Sequence, residues 1–95
     1  MSVFYRGGSS LKPRRFELRF DQASGLVKPE RGVSVSTRPD GLDRFGGAFG
    51  LGPIPTGLRA VQIGRDPHHY KIVPVAPMTL DRYEELLDQI PLSPV

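Results

Sequence analysis

Residues 31–39 read Arg-Gly-Val-Ser-Val-Ser-Thr-Arg-Pro, and this stretch predicts the strand on which the rest of the chain is built. Side chains alternate between the two faces of a strand, so Ser34 and Ser36 share one face while the two valines and the threonine share the other. A strand of this kind can support a core on one side and a hydrogen-bonding surface on the other. We interpret it as the floor of a small-molecule site. The simpler alternative is a half-buried strand with solvated serines.

The composition predicts one small, loop-rich domain spanning residues 1–95. Glycine and proline are frequent, with 11 and 10 residues, and neither suits the interior of a helix or strand. The chain has no cysteine, which excludes a disulfide scaffold and a thiolate zinc site. The two histidines are adjacent and diverge in a strand, so no metal site is expected.

The charge pattern favours anionic partners. Lysine and arginine total 13 against 10 acidic residues, a formal charge of +3, and arginine supplies most of the positive charge. No apolar run approaches the length that spans a bilayer, and the N-terminus lacks a signal pattern. We therefore expect a cytoplasmic location, or delivery into a target cell without a cleaved signal peptide.

Further strands are predicted on both sides of the central one. Residues 3–6 form a short β-prone run, and residues 15–20 alternate charged side chains with Phe16, Leu18 and Phe20 as a half-buried strand or an extended segment would. Residues 60–64 and 69–75 predict a hairpin. Residues 38–41, Arg-Pro-Asp-Gly, predict a turn after the central strand.

Residues 41–57 hold six glycines and two prolines, and we expect no regular element there. A loop this long is either a functional lid or disordered. It carries no phosphate-cradling signature, because no third glycine, no following helix and no Lys-Ser/Thr pair completes one.

A helix is predicted near the end of the chain. Thr79 is its N-cap, Pro91 stops it, and Leu80, Tyr83, Leu87 and Ile90 fall on one apolar stripe. This amphipathic helix is expected to pack on the sheet, with docking of a partner as the alternative.

Several residue types in these elements suit a nucleotide. Arg6 can grip a phosphate, the hydroxyls of Ser34 and Ser36 can bond a ribose or an amide, and an aromatic ring can stack on a base. His69 and Tyr70 are neighbours in a strand, so only one of them can face the same pocket.

Three motifs then follow one another in order: Phe-Tyr-Arg-Gly at residues 4–7, Gly-Val-Ser-Val-Ser-Thr at 32–37, and His-Tyr-Lys-Ile-Val-Pro-Val-Ala-Pro-Met at 69–78. In order and rough spacing they resemble the ADP-ribosyltransferase-like toxins, most of all the bacterial type VI secretion effector family of that fold. The resemblance covers most of the chain, and its last motif is the most specific.

The resemblance implies an α+β fold, a small split β-sheet of ADP-ribosyltransferase type with a C-terminal amphipathic helix, and NAD held in its cleft. Arg6, Ser34 and His69 would be the catalytic residues, and Arg6, Ser34, Ser36 and Tyr70 would bind the cofactor. The implied function is a bacterial toxin that transfers ADP-ribose or hydrolyses NAD, and that a cognate immunity or antitoxin protein neutralises. Many members of the wider superfamily end their catalytic strand with a glutamate, whereas residues 71–77 here contain no acidic residue.

A non-enzymatic alternative remains open from the sequence. The chain could be a small basic module that binds nucleic acid or a protein partner, with aromatic side chains for stacking. The arginines on which this reading depends are spread along the chain, at positions 6, 14, 15, 19, 31, 38, 44, 59 and 65.

Overall fold

A computed structural model describes residues 4–42 and 45–95 of the chain. The elements of regular structure are β1 (Tyr5–Gly7), a single 3₁₀ turn (Arg15–Glu17), β2 (Val33–Ser36), β3 (Ala48–Leu51), β4 (Leu58–Gln62), β5 (His69–Pro74), α1 (Leu80–Asp88) and β6 (Leu92–Pro94). The predicted α+β class is confirmed. Val3 of the predicted first strand and Arg44 of the arginine series lie outside the described residues.

The strands form one antiparallel sheet in the order β4-β5-β2-β1-β3-β6. The predicted hairpin is confirmed as β4 and β5, which pair from Leu58↔Pro74 to Gln62↔Tyr70. The central strand is also confirmed, since β2 pairs with β5 from Val33↔Ile72 to Ser36↔His69. The sheet therefore places the Ser-rich strand beside the His-containing strand.

The pairing between β1 and β2 is much shorter. These strands share the single register pair Tyr5↔Ser36, whereas β1 pairs with β3 over three positions. The two strands separate beyond Ser36 toward the start of β2, which opens the sheet next to Ser34. This opening positions the site described below.

One face of the sheet carries the core. The buried side chains of Val33, Val35 and Ile72 pack against Tyr83 and Leu87 of α1. Burial of this apolar surface is the main contribution that holds the helix on the sheet.

The predicted start of the helix is confirmed, whereas its predicted end lies too far along the chain. Thr79 caps the helix, because its Oγ1 accepts a hydrogen bond of 3.1 Å from the backbone N–H of Arg82. The helix ends at Asp88, so Ile90, which the sequence places on the helical stripe, lies beyond its end.

A polar contact also ties α1 to the sheet. The Tyr83 hydroxyl donates to the Ile72 carbonyl at 2.5 Å and accepts from the Val33 N–H at 3.0 Å, and burial raises the pKa of Tyr83 to about 12. Gly32 permits this approach, since a Cβ there would lie 1.9 Å from the Ile72 carbonyl oxygen. The glycine that precedes β2 is thus required by packing.

The predicted strand at residues 15–20 is wrong for its first three residues, while Phe20 forms an isolated antiparallel bridge with Val27. Residues Arg15–Glu17 form a 3₁₀ turn, which leaves Phe16 77% exposed and buries Glu17 instead. The alternation of apolar side chains does not make this segment a strand, because Glu17 is buried in an ion pair with Arg6.

The expectation of no regular element in residues 41–57 is also wrong. Strand β3 lies within that stretch, paired with β1 on one side and β6 on the other. Partners on both edges supply backbone hydrogen bonds that compensate for the poor strand propensity of glycine.

Candidate functional site

A cleft of about 200 Å³ lies on the face of the sheet opposite α1, where β1 and β2 separate. Side chains from five separate stretches contribute to its lining, among them Tyr5, Arg14, Ser34, Ser36, Phe45 and His69. Arg6 also belongs to the lining. Four residues selected from the sequence as site residues, Arg6, Ser34, Ser36 and His69, therefore meet at one place.

Strand register explains this convergence. Residues directly opposite each other on antiparallel strands point to the same face. Ser36 lies opposite both His69 on β5 and Tyr5 on β1, and Ser34 lies opposite Lys71. These five side chains consequently share the face of the sheet that carries the cleft.

An ion pair between Arg6 and Glu17 fills the opening between β1 and β2. The Arg6 guanidinium is 3% exposed and binds Glu17 through two bonds, Nη1 to Oε2 at 3.0 Å and Nη2 to Oε1 at 3.3 Å. Its Nη1 also donates to the Ser34 carbonyl at 2.8 Å, and its Nε donates to the Ser10 carbonyl at 3.3 Å. Most of the donors of Arg6 are therefore occupied by the protein itself.

The Glu17 carboxylate is equally well satisfied. Its Oε2 accepts the Ser34 N–H at 2.9 Å, and its Oε1 accepts the Arg14 N–H at 2.8 Å. Burial would raise the pKa of Glu17, but the hydrogen bonds from Arg6, Arg14 and Ser34 outweigh that effect and lower the pKa from 4.5 to about 2. Glu17 is thus an ionised carboxylate at neutral pH.

Ser34 is held at three atoms. The ion pair binds both its N–H and its carbonyl, in the place where a neighbouring strand would otherwise pair. Its hydroxyl oxygen accepts a hydrogen bond of 2.6 Å from Nζ of Lys71. The hydroxyl proton is consequently directed elsewhere and can be donated to a ligand.

Lys71 lies half-buried beside Ser34. Burial lowers the pKa of Lys71, the negative charge of Glu17 opposes this shift, and the positive charges of Arg31 and Arg6 add to it. Burial is thus the largest influence on this amine, and charges of both signs surround it.

Phe45 and Arg14 form one wall of the cleft. Phe45 lies directly over Gly7, where an added Cβ would come within 2.5 Å of its ring. The Arg14 guanidinium stacks on the same ring, 5.5 Å from its centroid. The wall is therefore an aromatic ring with a cation beside it.

The remaining residues predicted for the site lie in different surroundings. Tyr70 is on the core face, where its ring packs at 5.0 Å from the ring of Phe4, so it does not line the cleft. Ser36 lines the cleft, but its hydroxyl accepts the Arg38 N–H at 3.1 Å and supports the following turn. Of the two strand neighbours, it is His69 that reaches the cleft.

Four residues of this site are not predicted from the sequence: Glu17, Lys71, Arg14 and Phe45. Lys71 could have been identified, because it pairs with Ser34 once β2 and β5 are neighbours. No feature of the sequence indicates that Glu17 belongs to the site, because the alternating pattern places it on the charged, solvated face of a strand. Arg14 and Phe45 lie in loops, whose positions the sequence pattern does not fix.

Two other properties bear on the classes of site. Among residues 4–42 and 45–95, no group of three or more His, Cys, Asp or Glu side chains is arranged to hold a metal ion. In the same part of the chain, no helix combines the length and the apolar character needed to cross a membrane.

Comparison of the chain with models of known protein families, with curated proteins and with solved structures finds no match.

Proposed function

We propose that this chain is a compact ADP-ribosyltransferase-like toxin domain that binds NAD in the cleft beside Ser34. One observation carries the proposal: residues selected on three separate sequence motifs, Arg6, Ser34 with Ser36, and His69, line the same cleft. Strand register places Ser34, Ser36 and His69 on one face, and the proposal is supported by the cleft that opens on that face next to Ser34. The opening between β1 and β2, next to Ser34, also supports a split sheet of the ADP-ribosyltransferase type.

The size of the cleft limits what it can hold. A volume of about 200 Å³ is below the 300–1,000 Å³ of sites that enclose drug-sized ligands. The cleft would therefore take one flat ring with its ribose, while the rest of the dinucleotide lies along the surface. The ring of Tyr5, which lines the cleft, suits the positively charged nicotinamide ring, because aromatic faces attract cations.

The proposed reaction breaks the bond between nicotinamide and C1′ of the ribose. Nicotinamide leaves with the bonding electrons, and C1′ accepts a hydroxyl of a target or a water molecule. Ser34 would hold the ribose through its hydroxyl proton, and the imidazole of His69 can accept the proton released by the attacking group.

Glu17 would act in this site through other residues. Its carboxylate fixes the Arg6 guanidinium and the backbone of Ser34, and its own oxygens are already bonded. We therefore assign Glu17 a positioning role, while its charge partly offsets that of Arg6 near the developing cation at C1′.

A toxin of this kind needs a neutralising partner in the cell that makes it. The proposed immunity or antitoxin protein would cover the cleft and the exposed part of Phe45, which is 41% exposed. In this proposal ADP-ribose passes to a target in the cell into which the toxin is delivered, or to water.

The purified chain tests the proposal. We expect NAD binding by calorimetry and release of nicotinamide detected by chromatography. Loss of one ligand hydrogen bond corresponds to about 1 kcal/mol, so Ser34→Ala should weaken NAD binding by about fivefold. His69→Ala should slow nicotinamide release more than it weakens binding, because His69 acts on the attacking group.

Ser93→Ala is the matched control, since Ser93 is an exposed strand serine outside the cleft lining. It should leave binding and turnover unchanged. Absence of NAD binding at millimolar concentration, together with undiminished toxicity of Ser34→Ala, would contradict the proposal. Salt-dependent binding of an oligonucleotide under the same conditions would favour the basic binding module instead.

A further inference from the structure

Arg14 lines the cleft and is partly exposed to solvent. Its side chain is 41% exposed, and its guanidinium lies 5.5 Å from the centroid of the Phe45 ring. From the sequence, phosphate binding is expected at Arg6, which is more deeply buried than Arg14. The two arginines differ in what they can offer to a ligand.

Arg6 has little capacity left for a ligand. It is 3% exposed, and its guanidinium already binds both oxygens of Glu17 and the carbonyls of Ser34 and Ser10. A phosphate that approached it would have to displace Glu17 from a buried ion pair, which is costly.

The contacts of Arg14 orient its side chain without occupying its hydrogen-bond donors. Its Nη1 lies 3.9 Å from Oε2 of Glu17, which is beyond hydrogen-bond distance, so attraction orients the side chain without occupying that donor. The cation–π contact with Phe45 is made by the charge of the guanidinium and forms no hydrogen bond with its N–H donors. An oxyanion can therefore approach the edge of a guanidinium that is already oriented.

We infer that Arg14, stacked on Phe45, is the phosphate-binding residue of this cleft. The ligand class is a phosphorylated nucleoside whose ring lies in the cleft beside Ser34 and whose phosphate extends to Arg14. The identity of this ligand as NAD or a part of it rests on the function proposed above, while the phosphate subsite itself rests on the geometry of Arg14.

The test compares two neighbouring arginines. Arg14→Gln removes the charge at the cleft, and Arg15→Gln removes the same charge from the next residue, which lines a different groove with Leu18, Phe20 and Glu84. The probes are nicotinamide mononucleotide, nicotinamide riboside, which differs by one phosphate, and inorganic pyrophosphate. Dissociation constants are measured by NMR titration of the folded protein at fixed ionic strength.

We expect Arg14→Gln to weaken binding of nicotinamide mononucleotide and of pyrophosphate about tenfold. Binding of nicotinamide riboside should change less than twofold, and Arg15→Gln should change none of the three by more than twofold. A charge-assisted bond of ordinary strength accounts for a loss of this size.

Three results would overturn the inference. If the mononucleotide binds and Arg14→Gln does not weaken it, the subsite is elsewhere while the proposed function stands. If both variants weaken binding equally, the effect comes from the overall positive charge of the protein and not from a specific contact with Arg14. If neither the mononucleotide nor pyrophosphate binds, the subsite does not exist. Pyrophosphate binding that depends on Arg14, without any binding of NAD, would contradict the proposed function and support the subsite.

Discussion

At the scale of single residues, the Arg6–Glu17 ion pair determines the geometry of the cleft. It satisfies the backbone of Ser34 at a point where β1 has already separated from β2. Side chains here replace the hydrogen bonds that a neighbouring strand would make. The opening of the sheet therefore leaves no unpaired backbone group at Ser34.

The ion pair predicts a specific acid sensitivity. The pKa of Glu17 falls from 4.5 to about 2 on folding, so its contribution to the free energy of unfolding is complete above pH 5 and is lost as the pH falls toward 2. A shift of this size corresponds to about 3 kcal/mol. We expect urea unfolding at a series of pH values to show that loss.

Glu17→Gln should lower the free energy of unfolding at pH 7 by about 3 kcal/mol, because it leaves Arg6 buried without a counter-charge. It should also remove most of the pH dependence between 5 and 2. Glu30→Gln changes the net charge equally at an exposed position and serves as the control. An equal pH dependence in the wild type and in Glu17→Gln would show that the pair does not determine acid stability.

At the scale of elements, Tyr83 joins α1 to two strands at once. Its hydroxyl bonds the backbone of Val33 in β2 and of Ile72 in β5. Helix position and strand pairing therefore depend on the same atom.

Tyr83→Phe should lower the free energy of unfolding by about 2 kcal/mol, because it leaves a buried N–H and a buried carbonyl without that partner. Tyr70→Phe is the matched control, since the described contact of Tyr70 is packing of its ring on Phe4, and we expect a change below about 0.5 kcal/mol there. Thermal unfolding followed by circular dichroism measures both. Equal effects of the two variants would contradict the bridging role of Tyr83.

Elements with a strong local pattern were predictable from the sequence. The alternating strand β2, the hairpin of β4 and β5, and the capped helix α1 follow from periodicity and from turn or cap residues. Strand β3 was missed because its pairing with β1 and β6 outweighs its glycine content, and β6 follows Pro91, which predicts only the end of the helix.

The site was predictable to the extent that strand register determines it. Ser34, Ser36 and His69 reach one cleft because they lie on one face of paired strands. Arg6 and Glu17 could not be predicted as a pair, because they are 11 residues apart and the phenylalanines around Glu17 indicated a different orientation. Contacts between a loop and the sheet depend on the packing of the whole molecule.

At the scale of the whole molecule, β6 protects one edge of the sheet. Its residues Leu92, Ser93 and Pro94 pair with β3, and Leu92 packs against the core. Without β6, the backbone of β3 would be an exposed edge that can pair with another chain.

Truncation after Pro91 should therefore cause self-association, measured by size-exclusion chromatography with light scattering. Leu92→Ser in the full chain is the control, because it removes the apolar contact and keeps the strand. We expect this variant to remain monodisperse and to lose about 1 kcal/mol of stability. A truncated chain with the same molar mass as the wild type would contradict the protective role of β6.

The Arg6–Glu17 ion pair also constrains how related sequences can diverge. Arg14 and Phe45 lie on the cleft side of the sheet, so they can vary and alter ligand preference while the core packing is kept. Arg6 and Glu17 cannot vary one at a time, because either substitution alone would bury an uncompensated charge. Among sequences that share this fold, positions 6 and 17 should accordingly covary, retained as a charged pair or replaced together by two apolar residues.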